Sequence, residues 1–124
     1  AVDDLALADY YRWLFFAAGP LEQAITINNL KLELSEDQSR SFGFGTYADT
    51  VNALELALQN GPYICGDQFT AADVYVGSHI FWGLQFGTLE KRDSFAAYAE
   101  RIQQRPALKA TQALNQARMQ ETGS

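Results

Sequence analysis

The sequence predicts an all-α fold: a helical bundle of about five helices, the first of them kinked, in one domain spanning residues 1–124. Three observations carry that prediction. Larger apolar residues recur at spacings of three, four and seven along most of the chain. No stretch of four or more residues alternates cleanly between apolar and polar, as a half-buried strand would. The breaks between periodic stretches hold the glycines and prolines that stop and start helices. With 124 residues, 48% of them hydrophobic, the chain is long enough for one core and too apolar to stay disordered. It contains no internal repeat.

The elements follow in order. From Asp3 to Ala18, the residues Leu5, Tyr10, Trp13, Phe16 and Ala17 keep helical spacing, with Trp13 and Phe16 expected in the core. Gly19-Pro20 interrupts this helix, because proline lacks the donor for the preceding turn and clashes with the carbonyl four residues back. Leu21, Ala24, Ile25 and Leu30 keep the rhythm beyond it, so a kinked continuation to about Asn29 is expected. Residues 31–45, KLELSEDQSRSFGFG, show no sustained period and read as a long loop. Tyr47, Val51, Leu54 and Leu58 define a second helix from about Thr46 to Asn60, closed by Asn60-Gly61-Pro62. A central helix runs from Thr70 to about Phe86, a further one from Ser94 to Gln104, and Pro106 opens a last helix reaching about Met119.

The central helix, ADVYVGSHIFWGLQF, is apolar or small on nearly every side and is therefore expected to be buried on most faces. Its mouth carries Thr70 and, three residues on, Asp73, the spacing of a capping box. Phe69 and Val74 stand where a hydrophobic staple forms. A carboxylate here satisfies amides that water cannot reach and sits at the positive end of the helix dipole. Leaving such a buried donor unmet costs about 1–3 kcal/mol. Asp73 and Thr70 are therefore assigned to structural capping rather than catalysis.

Composition excludes several functions. Nine Lys plus Arg against 15 Asp plus Glu give a net charge of −6, which repels phosphate backbones and anionic membrane, so neither nucleic acid nor membrane is an expected partner. The apolar runs are too short to span a bilayer, the N-terminus lacks the basic-then-apolar order of a signal peptide, and one cysteine forms no internal disulfide. These features point to the cytoplasm. A start at Ala-Val-Asp-Asp, without Met, is the start expected of an excised piece. A single histidine gives no metal cluster, so no metal site is assigned, and His79 is expected to satisfy a polar contact inside the bundle. Cys65 and His79 invite a nucleophile and base, but no third group orients them, and Cys65 reads as a small buried hydrophobe.

The run Gly61-Pro62-Tyr63-Ile64-Cys65-Gly66-Asp67-Gln68-Phe69-Thr70-Ala71-Ala72-Asp73 resembles the signature that caps the central helix in the C-terminal domain of glutathione S-transferases. Tyr11 to Glu22 (YRWLFFAAGPLE) is similar to the first helix of that domain in bacterial members. Phe95-Ala96-Ala97-Tyr98 followed by Arg105-Pro106-Ala107-Leu108 is similar to the step that closes it. The resemblance as a whole spans roughly residues 3 to 116.

The resemblance implies a helical bundle that follows a thioredoxin-like N-terminal domain missing from this chain. That domain would bind glutathione, the co-substrate of the full-length parent, and would supply the residue that activates its sulfur. The C-terminal half would bind no cofactor alone and hold no catalytic residue. It would supply the wall for a small hydrophobic electrophile and much of a homodimer contact, through the first two helices. Tyr11, Phe15, Ala18 and Glu22, spaced four, three and four on one face of the first helix, are the candidate substrate-binding residues, with Trp82 and Phe86 late on the central helix. Relatives carry a polar side chain near Phe15, so Phe15 is assigned to the substrate wall or an interface. The expected function is the substrate-wall and dimerisation domain of a transferase conjugating glutathione to an apolar electrophile, inactive as an isolated fragment and detoxifying as part of its parent. The alternative is a non-catalytic helical module of the same fold that serves protein–protein association.

Overall fold

The computed structural model describes residues 4–123, and these form seven α-helices and one π-helical turn, with no strand among the described residues. Helix α1, Asp4–Phe16, runs into the π-helical turn Ala17–Leu21 and then α2, Glu22–Asn29. The backbone keeps right-handed helical angles on both sides of the turn, at Phe16 and at Glu22, so the rod bends at Gly19-Pro20 without breaking, as expected. The wider turn accommodates a residue that cannot donate, and Glu22 N–H still reaches the Gly19 carbonyl. Asp3, the predicted start, lies outside the described residues.

The long loop expected over 31–45 contains a helix, α3, Glu36–Phe42. Ser35 Oγ accepts the Gln38 N–H at 3.2 Å, and Gln38 Oε1 accepts the Ser35 N–H at 2.9 Å. Gly43 closes the helix in the left-handed region at φ 71°. Arg40 pairs with Glu36 one turn back. Because α3 buries no residue, it has no apolar period to betray it; the cap spacing Ser-x-x-Gln was its only signal.

Helix α4, Tyr47–Leu58, is capped by Thr46 Oγ1 on the Asp49 N–H at 3.1 Å. It ends at Gln59 in right-handed angles, so the left-handed stop expected at Asn60-Gly61 does not form. Gly61 serves a close approach instead. A Cβ there would lie 2.7 Å from the Gly66 carbonyl carbon, in a tight loop where Tyr63 and Gly66 exchange two backbone hydrogen bonds of 3.0 Å. Helices α5, Ala71–Phe86, α6, Asp93–Gln103, and α7, Pro106–Glu121, fall close to their predicted spans.

The core unites Trp13, Ala17 and Leu21 of the bent rod, Val51 and Leu54 of α4, Val76 and Ile80 of α5, and Phe95, Tyr98 and Ile102 of α6. Burying each larger apolar side chain contributes about 1.5–3 kcal/mol. Trp13 packs edge-on against Phe16, as the helix spacing anticipates. Helix α5 packs against α1, the π turn and α6, with Gly77 against the Ile102 side chain and Gly83 against Leu89. Arg92 Nη1 and the Ser94 hydroxyl donate to Glu55, at 2.6 and 3.0 Å, tying α4 to the start of α6. A further expectation fails: α5 is not buried on most faces. Val74, Tyr75, Trp82 and Phe86 stand exposed, because no other described element crosses that side of the helix.

Candidate functional site

The mouth of α5 is built as its sequence requires. Thr70 Oγ1 accepts the Ala72 N–H at 3.2 Å, and Asp73 Oδ2 accepts the Thr70 N–H at 2.9 Å, completing the capping box. Two further bonds were not foreseen. Asp73 Oδ1 accepts the Ile64 N–H at 2.8 Å and the Tyr98 hydroxyl at 2.7 Å. Fully buried, Asp73 thus pins the 61–70 loop, the start of α5 and the middle of α6 to one carboxylate. Burial, and then the adjacent Asp73 charge, hold the Tyr98 phenol above its ordinary range. The expected staple is absent from this arrangement: Val74 is exposed, and Phe69 meets Tyr63 edge-on beneath the Arg105 guanidinium.

Asp73 has no open face for a substrate, and every oxygen contact serves the fold. The other sequence candidates lie at the surface. On α1, Tyr11 and Phe15 stack with ring centres 6.2 Å apart, Phe15 being 68% exposed. On α5, Trp82 and Phe86 stack at 5.5 Å and are 50% and 68% exposed. Tyr75 and His79, one turn earlier on the same face, stack at 5.4 Å. Ala18 and Glu22 line an open groove of 330 Å³ with Gln23, Thr26 and Ile27 of α2 and Phe42 of α3. The two ring pairs contribute nothing to that groove, so the six candidates divide into three clusters rather than converging on one pocket.

Sequence reasoning missed Phe42. The absence of a period over residues 31–45 places it in a loop, whereas the Ser35 cap and the Gly43 turn set it opposite α2. His79 is half-buried; its Nδ1 lies 2.9 Å from the Tyr75 carbonyl and its Nε2 4.0 Å from Glu22 Oε2. Cys65 receives a bond from the Thr70 hydroxyl at 3.8 Å, and burial pushes its thiol up from the ordinary value. A protonated thiol bonded into a helix cap is a poor nucleophile, consistent with the structural assignment. Among the described residues no group of three or more His, Cys, Asp or Glu could hold a metal ion. Among the described residues, no helix is long and apolar enough to cross a membrane.

The chain matches the family described as glutathione S-transferase, C-terminal domain, over residues 28–112. No curated protein and no solved structure matches it.

Proposed function

The chain belongs to the glutathione S-transferase C-terminal domain family, and from that premise we propose that it forms the substrate-wall and dimerisation half of a cytoplasmic transferase conjugating glutathione to an apolar electrophile. The observation that carries this reading is the placement of uncommitted apolar surface. The stacked pairs Tyr11–Phe15 and Trp82–Phe86 lie open on α1 and α5, whereas the buried aromatics Trp13, Phe95 and Tyr98 are spent on the core. Exposed aromatic surface of this kind marks a place where something docks.

Conjugation needs two things: a thiolate stabilised by hydrogen-bond donors, and an electrophile held within attack distance. The described residues offer the second only. Asp73 and Tyr98 are consumed by each other, and Cys65 is held protonated. A thioredoxin-like domain would therefore bind glutathione and activate its sulfur, and the electrophile would lie against one of the three open clusters, Tyr11–Phe15, Trp82–Phe86 or the groove of Ala18 and Glu22. The bent α1–α2 rod would meet a second copy of the chain.

The coding sequence upstream of Ala1 tests this first, since a thioredoxin-like segment with a Ser, Tyr or Cys near its first helix is required. In the two-domain protein, Phe15→Ala and Trp82→Ala should raise KM for an aromatic electrophile such as 1-chloro-2,4-dinitrobenzene while leaving KM for glutathione unchanged. A reverse pattern would sink the assignment. The open face Tyr75, His79, Trp82 and Phe86 also suits a second reading, a non-catalytic module that covers this stripe with another protein. That reading calls for the same variants to abolish complex formation without any conjugating activity to lose.

A further inference from the structure

We propose that Asn60 is a self-modifying position: the Gly61 backbone nitrogen closes on the Asn60 side chain and expels ammonia, and water then leaves aspartate or isoaspartate, the second of which displaces the 61–66 loop from Asp73. This chemistry is independent of what the parent protein catalyses.

Three features of the Asn60-Gly61 turn argue for it. Of the five asparagines, Asn28, Asn29, Asn52, Asn60 and Asn115, only Asn60 is followed by glycine, whose nitrogen has no side chain beside it to hinder attack. The other four lie inside α2, α4 and α7, where the next N–H is given to a carbonyl one turn back, as Leu30 N–H is to the Thr26 oxygen at 3.0 Å. Asn60 stands exposed beyond the end of α4, and among the described residues neither its side-chain amide nor the Gly61 N–H is held in a hydrogen bond. The fold accounts for Gly61 through its closeness to Gly66 and asks nothing of the Asn60 side chain.

The reaction needs only water. The Gly61 nitrogen, its proton taken by hydroxide, attacks Asn60 Cγ. The N–Cγ bond forms, the Cγ–Nδ2 bond breaks, and the departing nitrogen takes a proton from water and leaves as ammonia. The ring so formed is a succinimide. Hydrolysis of its N–Cγ bond restores the ordinary backbone with an aspartate side chain, whereas hydrolysis at the Asn60 main-chain carbonyl carbon leaves the chain running through Cβ and Cγ. Both products make the net charge one unit more negative than −6, at the C-terminal end of α4, where the helix dipole disfavours an anion. Only isoaspartate lengthens the backbone, by one methylene. The added length falls in a loop without slack: a Cβ at Gly61 would lie 2.7 Å from the Gly66 carbonyl carbon, Arg101 Nη1 donates to the Pro62 carbonyl at 2.7 Å, and Ile64 N–H donates to Asp73 Oδ1 at 2.8 Å. Lengthening this loop shifts Ile64 away from its acceptor.

The test holds the full chain in mildly alkaline buffer and maps its peptides by mass spectrometry with electron-transfer fragmentation, which separates aspartate from isoaspartate. Asn60 should convert ahead of the other four asparagines, with isoaspartate the larger product. Asn60→Gln, whose ring would carry one more atom, should release ammonia far more slowly at unchanged helicity. Asn60→Asp carries the new charge on an ordinary backbone and serves as the reference. Against it, the isoaspartate form, separated by ion exchange, should exchange its Ile64 amide hydrogen about 2- to 10-fold faster, the factor that one net hydrogen bond supplies. Conversion of Asn60 no faster than that of Asn52 or Asn115, aspartate without isoaspartate, or equal Ile64 exchange in the two forms would each overturn the proposal.

Discussion

Replacing Asp73 by alanine is the sharpest test of how the bundle is held. The carboxylate accepts three hydrogen bonds, from Ile64 N–H, Thr70 N–H and the Tyr98 hydroxyl, all at 2.7–2.9 Å, the Ile64 and Tyr98 bonds buried and the Thr70 bond partly so. Each orphaned buried donor costs about 1–3 kcal/mol. Because water entering the vacated space recovers part of that, the summed loss should be about 3–5 kcal/mol rather than the full total, within the range seen when a buried polar network is broken. A domain of this size has about 5–15 kcal/mol in all. Urea unfolding followed by circular dichroism reads the change. With a slope of about 2 kcal/mol/M, a 4 kcal/mol loss moves the midpoint down by about 2 M. The double-mutant cycle isolates the cause: Tyr98→Phe alone should cost about 1–2 kcal/mol, but in the Asp73→Ala background it should cost nothing, since the phenol no longer has its acceptor. A midpoint shift below about 0.5 M, or additive losses in the cycle, would refute the claim that one carboxylate joins loop, central helix and α6.

Three further outcomes are expected. The folded Tyr98 phenol titrates above its unfolded value, so its contribution is complete below pH ~10 and falls as pH rises past it, by up to ~1.4 kcal/mol per pH unit; Tyr98→Phe should flatten the alkaline limb of stability measured by urea melts. Hydrogen bonds from Ser94 and then Arg92 hold the Glu55 carboxyl below its ordinary value, so its contribution is present above the unfolded pKa and lost as pH falls through the folded one; Glu55→Gln should be less stable near neutrality and lose less on acidification below pH ~4.5. Two glycines of α5 should answer alanine with opposite signs. A Cβ at Gly83 would lie 2.6 Å from Leu89 Cβ and should cost about 1–3 kcal/mol. At Gly77 the nearest atom, on Ile102, is 3.4 Å away, and the better helix former should be neutral or gain up to ~1 kcal/mol in the same melts.

Much of the fold was legible because its signals are local. The Thr70–Asp73 cap, the tolerated Gly19-Pro20 bend and the start at Pro106 depend on neighbours within a few residues, and each forms where its spacing places it. Helix α3 was hidden because residues 36–42 bury nothing, and periodicity reports only helices that face a core. Partners distant in sequence were equally illegible. Nothing near Asp73 announces Tyr98, 25 residues on, or the Ile64 amide, since that meeting depends on how α6 crosses α5. The candidate site suffered in the same way: a four-three-four spacing puts Tyr11, Phe15, Ala18 and Glu22 on one helical face, but it cannot say that Phe42 arrives opposite the last two while Trp82 and Phe86 pair elsewhere.

Helix α7 buries none of its residues and packs chiefly on α6, with Leu108 alone among its side chains packed on the core. A rod fastened at one end behaves as a lever arm rather than a pillar. Proteases should trim it back toward Arg105 while leaving the melting of the bundle nearly unchanged, and cargo fused beyond Glu121 should ride on it without straining the packing behind.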